Sequence, residues 1–156
     1  LTAWGTMSSA ATLGVSLDCI RRSPILSRKV TDFSIPLFAN IHLCGSVFTE
    51  TFLVCVVSQL LYGHLPDPAT LTLFIVLLGI FAVGAPGVPG GTVLASLGIV
   101  TSVLGFGDSG TALLIAIFAL QDGFGTACNI TGDGALSLIT DTYAKRHVPD
   151  LEAEAL

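Results

Sequence analysis

Asp122, Thr126, Asn129 and Asp133 stand at offsets of four, seven and eleven residues from the first, a spacing that puts them on one face of a helix. The run that holds them, residues 111–144, begins purely apolar and turns polar after Leu120. A polar stripe in a membrane helix faces the protein interior or a water-filled path, and a carboxylate at that depth requires a positive partner. The alternative, a solvated face emerging into the cytoplasm, is opposed by Ile130, Ala135, Leu136, Leu138 and Ile139. A second chemical feature is the loop Gly84-Ala-Pro-Gly-Val-Pro-Gly-Gly91. With Pro86, Pro89 and four glycines it cannot continue a helix. Irregular backbone at membrane depth survives only where protein or a watery cavity satisfies it, so a binding site is expected near this tip. An ordinary turn outside the membrane is the other reading.

The elements that must position these groups follow from composition. Of 156 residues, 52% are apolar and 11% charged, whereas a soluble domain carries about 25% charge. Mean hydropathy is +0.84. Six basic and 11 acidic residues give a net charge of −5, which excludes a nucleic-acid footprint. All the cations fall in two clusters, Arg21, Arg22, Arg28 and Lys29, then Lys145 and Arg146. By the positive-inside rule both clusters are cytoplasmic, and the connections holding Asp67 and Asp108 face outward.

Between the clusters, residues 33–62 form an apolar run long enough to cross a bilayer but interrupted by polar residues at 40–46. The runs 71–83 and 93–104 are each too short to span, and with the Gly/Pro loop between them they read as a re-entrant hairpin. The chain begins at Leu1 with no charged segment ahead of a short apolar core, so no signal peptide is expected and the sequence reads as a fragment. Cys19, Cys44, Cys55 and Cys128 form no Cys-x-x-Cys pair and have no histidine at zinc spacing, so they are expected to be buried small hydrophobes. The residues 148–156, with Asp150, Glu152 and Glu154, read as a solvated end.

An interrupted helix, a Gly/Pro-tipped hairpin and a polar helix in this order resemble the dicarboxylate/amino acid:cation symporter family, the glutamate transporter homologues. Asn129-Ile-Thr-Gly-Asp133 is close to that family's Asn-Val-Thr-Gly-Asp on its last transmembrane helix. Gly87-Val-Pro-Gly90 resembles the tip of its second hairpin, and Ser8-Ser9-Ala-Ala-Thr-Leu13 the serine-rich tip of its first. The resemblance implies an all-α membrane protein with two re-entrant hairpins, each followed by a transmembrane helix, related as inverted repeats. Residues 1–30 would be part of the first hairpin and a basic cytoplasmic loop, 33–63 the interrupted helix, 70–104 the second hairpin, 109–146 the last helix and 147–156 a tail. Together they would form part of a transport domain without its N-terminal scaffold.

By the same resemblance, Asp122 would take a substrate's α-ammonium, and Thr126, Asn129 and Ser9 its α-carboxylate, with Val88, Pro89 and Gly90 closing the tip. Asp133 with the Asn129 carbonyl matches a sodium site, and carbonyls near Asn40, Leu43, Ala82, Val83 and Ala85 a second, since sodium prefers oxygen ligands. Glu50 aligns with a glutamate used in proton coupling, and an acid in an apolar helix favours its neutral form. His42 is a candidate to share that proton. Otherwise Glu50 would be a packing residue bonded to Thr49 or Ser58.

Three departures shape the expected substrate. Where acidic-substrate members carry an arginine that forks onto the side-chain carboxylate, Gly125 stands here and leaves room, so a neutral amino acid is expected. The family's Asn-Met-Asp-Gly-Thr is His42-Leu-Cys-Gly-Ser46, which replaces a carboxylate by the Cys44 thiol and unsettles the sodium site built on that motif. Gly14 replaces a proline and softens the first tip. The implied activity is symport of an amino acid with sodium, protons or both by alternating access. It needs no prosthetic cofactor, operates in the plasma membrane as a multi-pass protein among lipids, and takes place in a homotrimer assembled through the scaffold. The rival readings are an acidic amino acid or dicarboxylate symporter, a degenerate paralogue that does not transport, and an intramembrane aspartyl protease. The last is opposed by Asp122 and Asp133 lying on one helix about 16 Å apart at 1.5 Å per residue.

Overall fold

The structure, a computed structural model, describes residues 1–148, so Asp150, Glu152 and Glu154 of the expected tail lie outside the described residues. Among the described residues helix makes up 80% and there is no strand. Helix α1 (Thr2–Thr6) stops at Met7, whose φ of 52° is left-handed. Ser8 restarts the chain as α2 (Ser9–Ile20), its hydroxyl accepting the Ala11 N–H at 3.0 Å as an N-cap. Gly14 therefore sits inside α2, away from the break.

After residues 21–27, α3 (Arg28–Ile41) and α4 (Cys44–Tyr62) run in succession, parted only by His42 and Leu43. Gly63, with φ 75°, closes α4 in the left-handed conformation favoured at helix ends. Asp67 caps α5 (Pro68–Gly84), whose first residue is a proline, as suits a position where no N–H is needed. Residues 85–90 turn the chain into α6 (Gly91–Ser102). Only glycine fits at 91, where a Cβ would lie 2.0 Å from the Pro86 carbonyl oxygen.

The last element, α7 (Asp108–His147), has 40 residues and so runs roughly 60 Å, about twice the hydrocarbon thickness of a bilayer. Its buried stripe changes character along its length. Leu114 and Phe118 meet Leu53, Val54 and Val57 of α4, Phe74 and Leu78 of α5, and Val93 and Val100 of α6 in an apolar core. Beyond Phe118 the same stripe is Asp122, Thr126, Asn129, Asp133, Ser137 and Asp141. The segments Arg28–Tyr62 and Asp108–His147 are each long and apolar enough to cross a membrane. Phe48, Phe52, Ile80, Leu120 and Phe124 point away from the bundle.

The cysteines do not follow expectation. Cys19, Cys44 and Cys128 are exposed and Cys55 is partly so. In a membrane protein the outward face is as apolar as the core, so an apolar neighbourhood does not by itself mean burial.

Candidate functional site

Three close approaches to α7, by α1, by the start of α4 and by His42, are each admitted by a glycine. A Cβ at Gly123 would lie 2.4 Å from the Trp4 carbonyl oxygen, one at Gly125 3.2 Å from the Ser46 backbone nitrogen, and one at Gly132 2.3 Å from the His42 ring. Trp4 also meets Phe124 edge to face, with ring centroids 6.0 Å apart. The space expected at Gly125 is therefore absent. The start of α4 fills it, and from the other side a Cβ on Gly45 would sit 2.4 Å from the Gly125 carbonyl oxygen.

This close crossing lets Asn129 cap α4. Its Oδ1 accepts the Gly45 N–H at 2.8 Å and the Ser46 N–H at 3.4 Å, and its Nδ2 donates to Ser46 Oγ at 3.0 Å. The first N–H groups of a helix have no partner within it, and here the side chain of another helix supplies one.

The break before α2 and the 85–90 loop are tied together. Gly87 O accepts from Ser8 Oγ at 2.7 Å and from the Ala10 N–H at 3.1 Å, while the Gly90 N–H donates to Asp122 Oδ2 at 2.8 Å. Beneath them lies a cavity lined by Met7, Ser9, Leu43, Ser46, Pro86, Gly87, Val88, Thr92, Asp122, Thr126 and Asn129. Its volume is about 10 Å³, room for about one water, so a larger ligand enters only if part of the lining shifts.

Of the residues expected to bind substrate, Ser9, Val88, Asp122, Thr126 and Asn129 line this cavity. Gly90 touches it through Asp122, Pro89 is exposed, and Gly125 packs against α4. Met7, Leu43, Ser46 and Thr92 join the lining without having been expected there as substrate contacts. Ser46 closes the His42-Leu-Cys-Gly-Ser46 motif and Thr92 directly follows the glycine loop, which is the signal that marks them.

Leu43, Ala82 and Ala85 pack as one buried cluster where α4 begins and α5 ends. Asn40 and Val83, expected with them, are exposed, and Asn40 Nδ2 turns back to the Pro36 carbonyl at 2.8 Å. Asp133 faces His42, with Nδ1 and Oδ1 2.8 Å apart. Glu50 is wholly buried and accepts a hydrogen bond from Ser96. Neither alternative partner is free, since Thr49 Oγ1 donates to the Gly45 carbonyl at 2.7 Å and Ser58 Oγ to the His64 carbonyl at 2.8 Å. His42 does not share a bond with Glu50, because Asp133 has claimed it.

The polar stripe extends further than the sequence suggests. Ser34 Oγ donates to Ser137 Oγ at 2.8 Å, and Asp141 Oδ1 accepts from the Ser27 N–H at 3.0 Å and from Ser27 Oγ at 2.6 Å. Lys145 pairs with Asp141 at 2.7 Å. Asp122 and Asp133 each bond a different element, the 85–90 loop and His42, so they do not form the shared-proton dyad of an aspartyl protease.

Comparison with known proteins finds relatives along nearly the whole chain. The chain is 29% identical over 153 residues to an excitatory amino acid transporter of Caenorhabditis elegans, covering 98% of the chain and 29% of that protein. It is 30% identical over 154 residues to human excitatory amino acid transporter 2, covering 99% and 26%. With the bovine neutral amino acid transporter B(0) it shares 27% identity over 145 residues, covering 93% and 26%. The chain thus spans less than a third of the length of the curated relatives it matches. These relatives are transporters, not enzymes. The profile of the sodium:dicarboxylate symporter family matches residues 1–143, and the chain is a membrane protein that belongs to this family.

Proposed function

We propose that this chain is the substrate- and cation-binding part of a secondary active carrier that moves a neutral amino acid across the plasma membrane together with sodium. The observation that carries this reading is the cavity in which Ser9, Asp122, Thr126 and Asn129 meet beneath the 85–90 loop. Asp122 takes the substrate's ammonium group, for which a buried carboxylate is a strong partner. Ser9 and Thr126 hydroxyls and the amide of Asn129 receive its carboxylate. Val88, Pro89 and Gly90 form the lid, and alternating access begins when it lifts.

The preference for a neutral side chain rests on the lining. None of the residues around the cavity is cationic, so no guanidinium is there to receive a second carboxylate. An acidic substrate would be desolvated there beside Asp122 without compensation. Sodium is carried by main-chain oxygens about Leu43, Ala82 and Ala85, where one helix begins beside the end of another. Glu50, buried and bonded to Ser96, is the residue through which proton movement would be coupled.

In this reading α1 with α2, and α5 with α6, are the re-entrant hairpins of two inverted repeats, followed by the broken α3–α4 and by α7. Exposed apolar residues such as Phe48, Phe52 and Leu120 face lipid or a scaffold through which the protein forms a homotrimer. Binding of labelled alanine to the purified full-length protein, with sodium present or replaced by choline, tests the reading. Sodium-dependent binding that unlabelled glutamate does not displace is expected, and equal displacement by glutamate would defeat the neutral assignment.

A further inference from the structure

His42 ends α3. Its N–H closes on the Phe38 carbonyl at 2.8 Å, but its own backbone is extended, with φ −109° and ψ 92°, so its side chain leaves the helix line and crosses to α7. There the ring has a fitted seat. Gly132 lies under it with no space for a Cβ, and Nδ1 stands 2.8 Å from Asp133 Oδ1. Asp133 is 1% exposed, and its second oxygen, Oδ2, has no hydrogen-bond partner among the described residues.

A carboxylate so deeply buried in a membrane helix must be compensated by a cation or by donors. A metal ion of sodium's hardness binds oxygen, and for calcium the ligand distances are about 2.3–2.6 Å, so two side chains on adjacent octahedral positions of one ion stand about 3.3–3.7 Å apart. The contact here is a direct one at hydrogen-bond length, with no space for an ion between the ring nitrogen and the carboxyl oxygen. The neighbouring groups offer little more. The Asn129 side-chain oxygen is taken by the Gly45 and Ser46 N–H groups, and α7 runs unbroken through this turn, so no carbonyl is released by a break. The oxygen-rich seat expected at Asp133 and Asn129 is thus not what the side chains form.

We propose that His42 replaces a bound cation at Asp133, so that Asp133 holds no sodium in this protein and His42 is the residue that sets how many cations accompany the substrate. The proposal rests on the reading of the chain as part of a cation-coupled carrier, but its consequence is visible in ion binding alone. Shortening His42 to asparagine empties the seat over Gly132 and turns an amide oxygen toward a carboxylate that has lost its donor. That combination is a site for a hard cation.

The test is sodium-dependent thermal stability of the purified full-length protein, with choline replacing sodium at constant ionic strength. Wild type, His42→Asn, Asp133→Asn and the double variant are compared. The expected result is that His42→Asn gains a sodium-dependent rise in melting temperature at least ~2 °C larger than that of wild type, and that the double variant loses this gain. Asp133→Asn alone should keep the wild-type sodium response, a comparison that decides the question even where His42→Asn does not fold. Identical sodium responses in wild type and His42→Asn, or loss of the wild-type response in Asp133→Asn, would overturn the proposal. The wild type's own response reads sodium binding elsewhere in the protein, so a failure of cation coupling is seen separately from a failure of this assignment.

Discussion

The Asp122 carboxylate accepts the Gly90 N–H at 2.8 Å, so the acid proposed to hold a substrate's ammonium group also anchors the 85–90 loop. Ligand and loop therefore share one side chain. Asp122→Ala should remove both functions, weakening amino acid binding by roughly 100-fold or more, the scale of truncating one member of a buried charge pair. Asp122→Asn keeps an acceptor for Gly90 but loses the charge. It should bind substrate as poorly while amide exchange at residues 85–90 stays near wild type. Normal binding by either variant would remove the ammonium contact.

Asn129 acts as a cap for a helix to which it does not belong. Asn129→Ala leaves the Gly45 N–H buried without a partner and should cost about 1–2 kcal/mol in unfolding free energy. Asn129→Asp, which keeps the accepting oxygen, should recover part of that loss. Denaturant unfolding in detergent reads both, and an unchanged midpoint for Asn129→Ala would show that the cap carries no weight.

The crossing of α4 on α7 admits no side chain at Gly45 or Gly125 without movement. Gly45→Ala meets backbone at 2.4 Å and should destabilise by about 1–3 kcal/mol, more than Gly125→Ala, whose Cβ would meet Ser46 at 3.2 Å. Gly125→Arg should separate the two helices instead of creating a site for an acidic substrate. Tight glutamate binding by a folded Gly125→Arg protein would contradict this geometry.

What the sequence makes legible is the pattern along single helices. The offsets of Asp122, Thr126, Asn129 and Asp133 already put them on one face, and the interruption near His42 and the Gly/Pro loop are visible as departures from apolar runs. Contacts between helices are not legible in the same way. Gly125 reads as open space, yet it is where the Ser46 backbone rests, because a glycine in a helix marks either a gap or a neighbour and only the packing decides which. Sequence proximity pairs Glu50 with hydroxyls on its own helix, but its partner is Ser96 of α6, since Thr49 and Ser58 are bonded to backbone carbonyls. The exposure of the cysteines is hidden for a related reason: in a membrane chain apolarity does not separate inside from outside.

Outside the spanning segments, Asp67 ties down the start of α5. Hydrogen bonds from the Thr70 side chain and from the Thr70 and Ala69 N–H groups hold its carboxyl below the usual carboxylate range. A lowered folded-state value means the stabilisation is fully present above the unfolded value of about 3.9 and is lost as pH falls through the folded one. Asp67→Ala should therefore melt earlier than wild type at neutral pH, with the two curves converging in strong acid. A pH-independent difference would point to the missing cap geometry alone.

Glu50 is buried with only Ser96 as its hydrogen-bond partner among the described residues, and its Oε2 is unpaired. Glu50→Gln conserves size and the bond to Ser96 while removing the ability to carry a proton. Uptake by this variant should lose its dependence on an imposed pH gradient and keep its dependence on sodium. Retention of the full pH-gradient effect would assign proton movement to another group.

The most direct measurement is uptake of labelled alanine or serine by the full-length protein in proteoliposomes under an imposed sodium gradient, with a pH gradient and excess glutamate as comparisons. The expected result is sodium-driven accumulation that glutamate does not inhibit and that Asp122→Ala abolishes. No accumulation under any gradient, or accumulation that glutamate blocks, would contradict a neutral amino acid carrier built around Asp122.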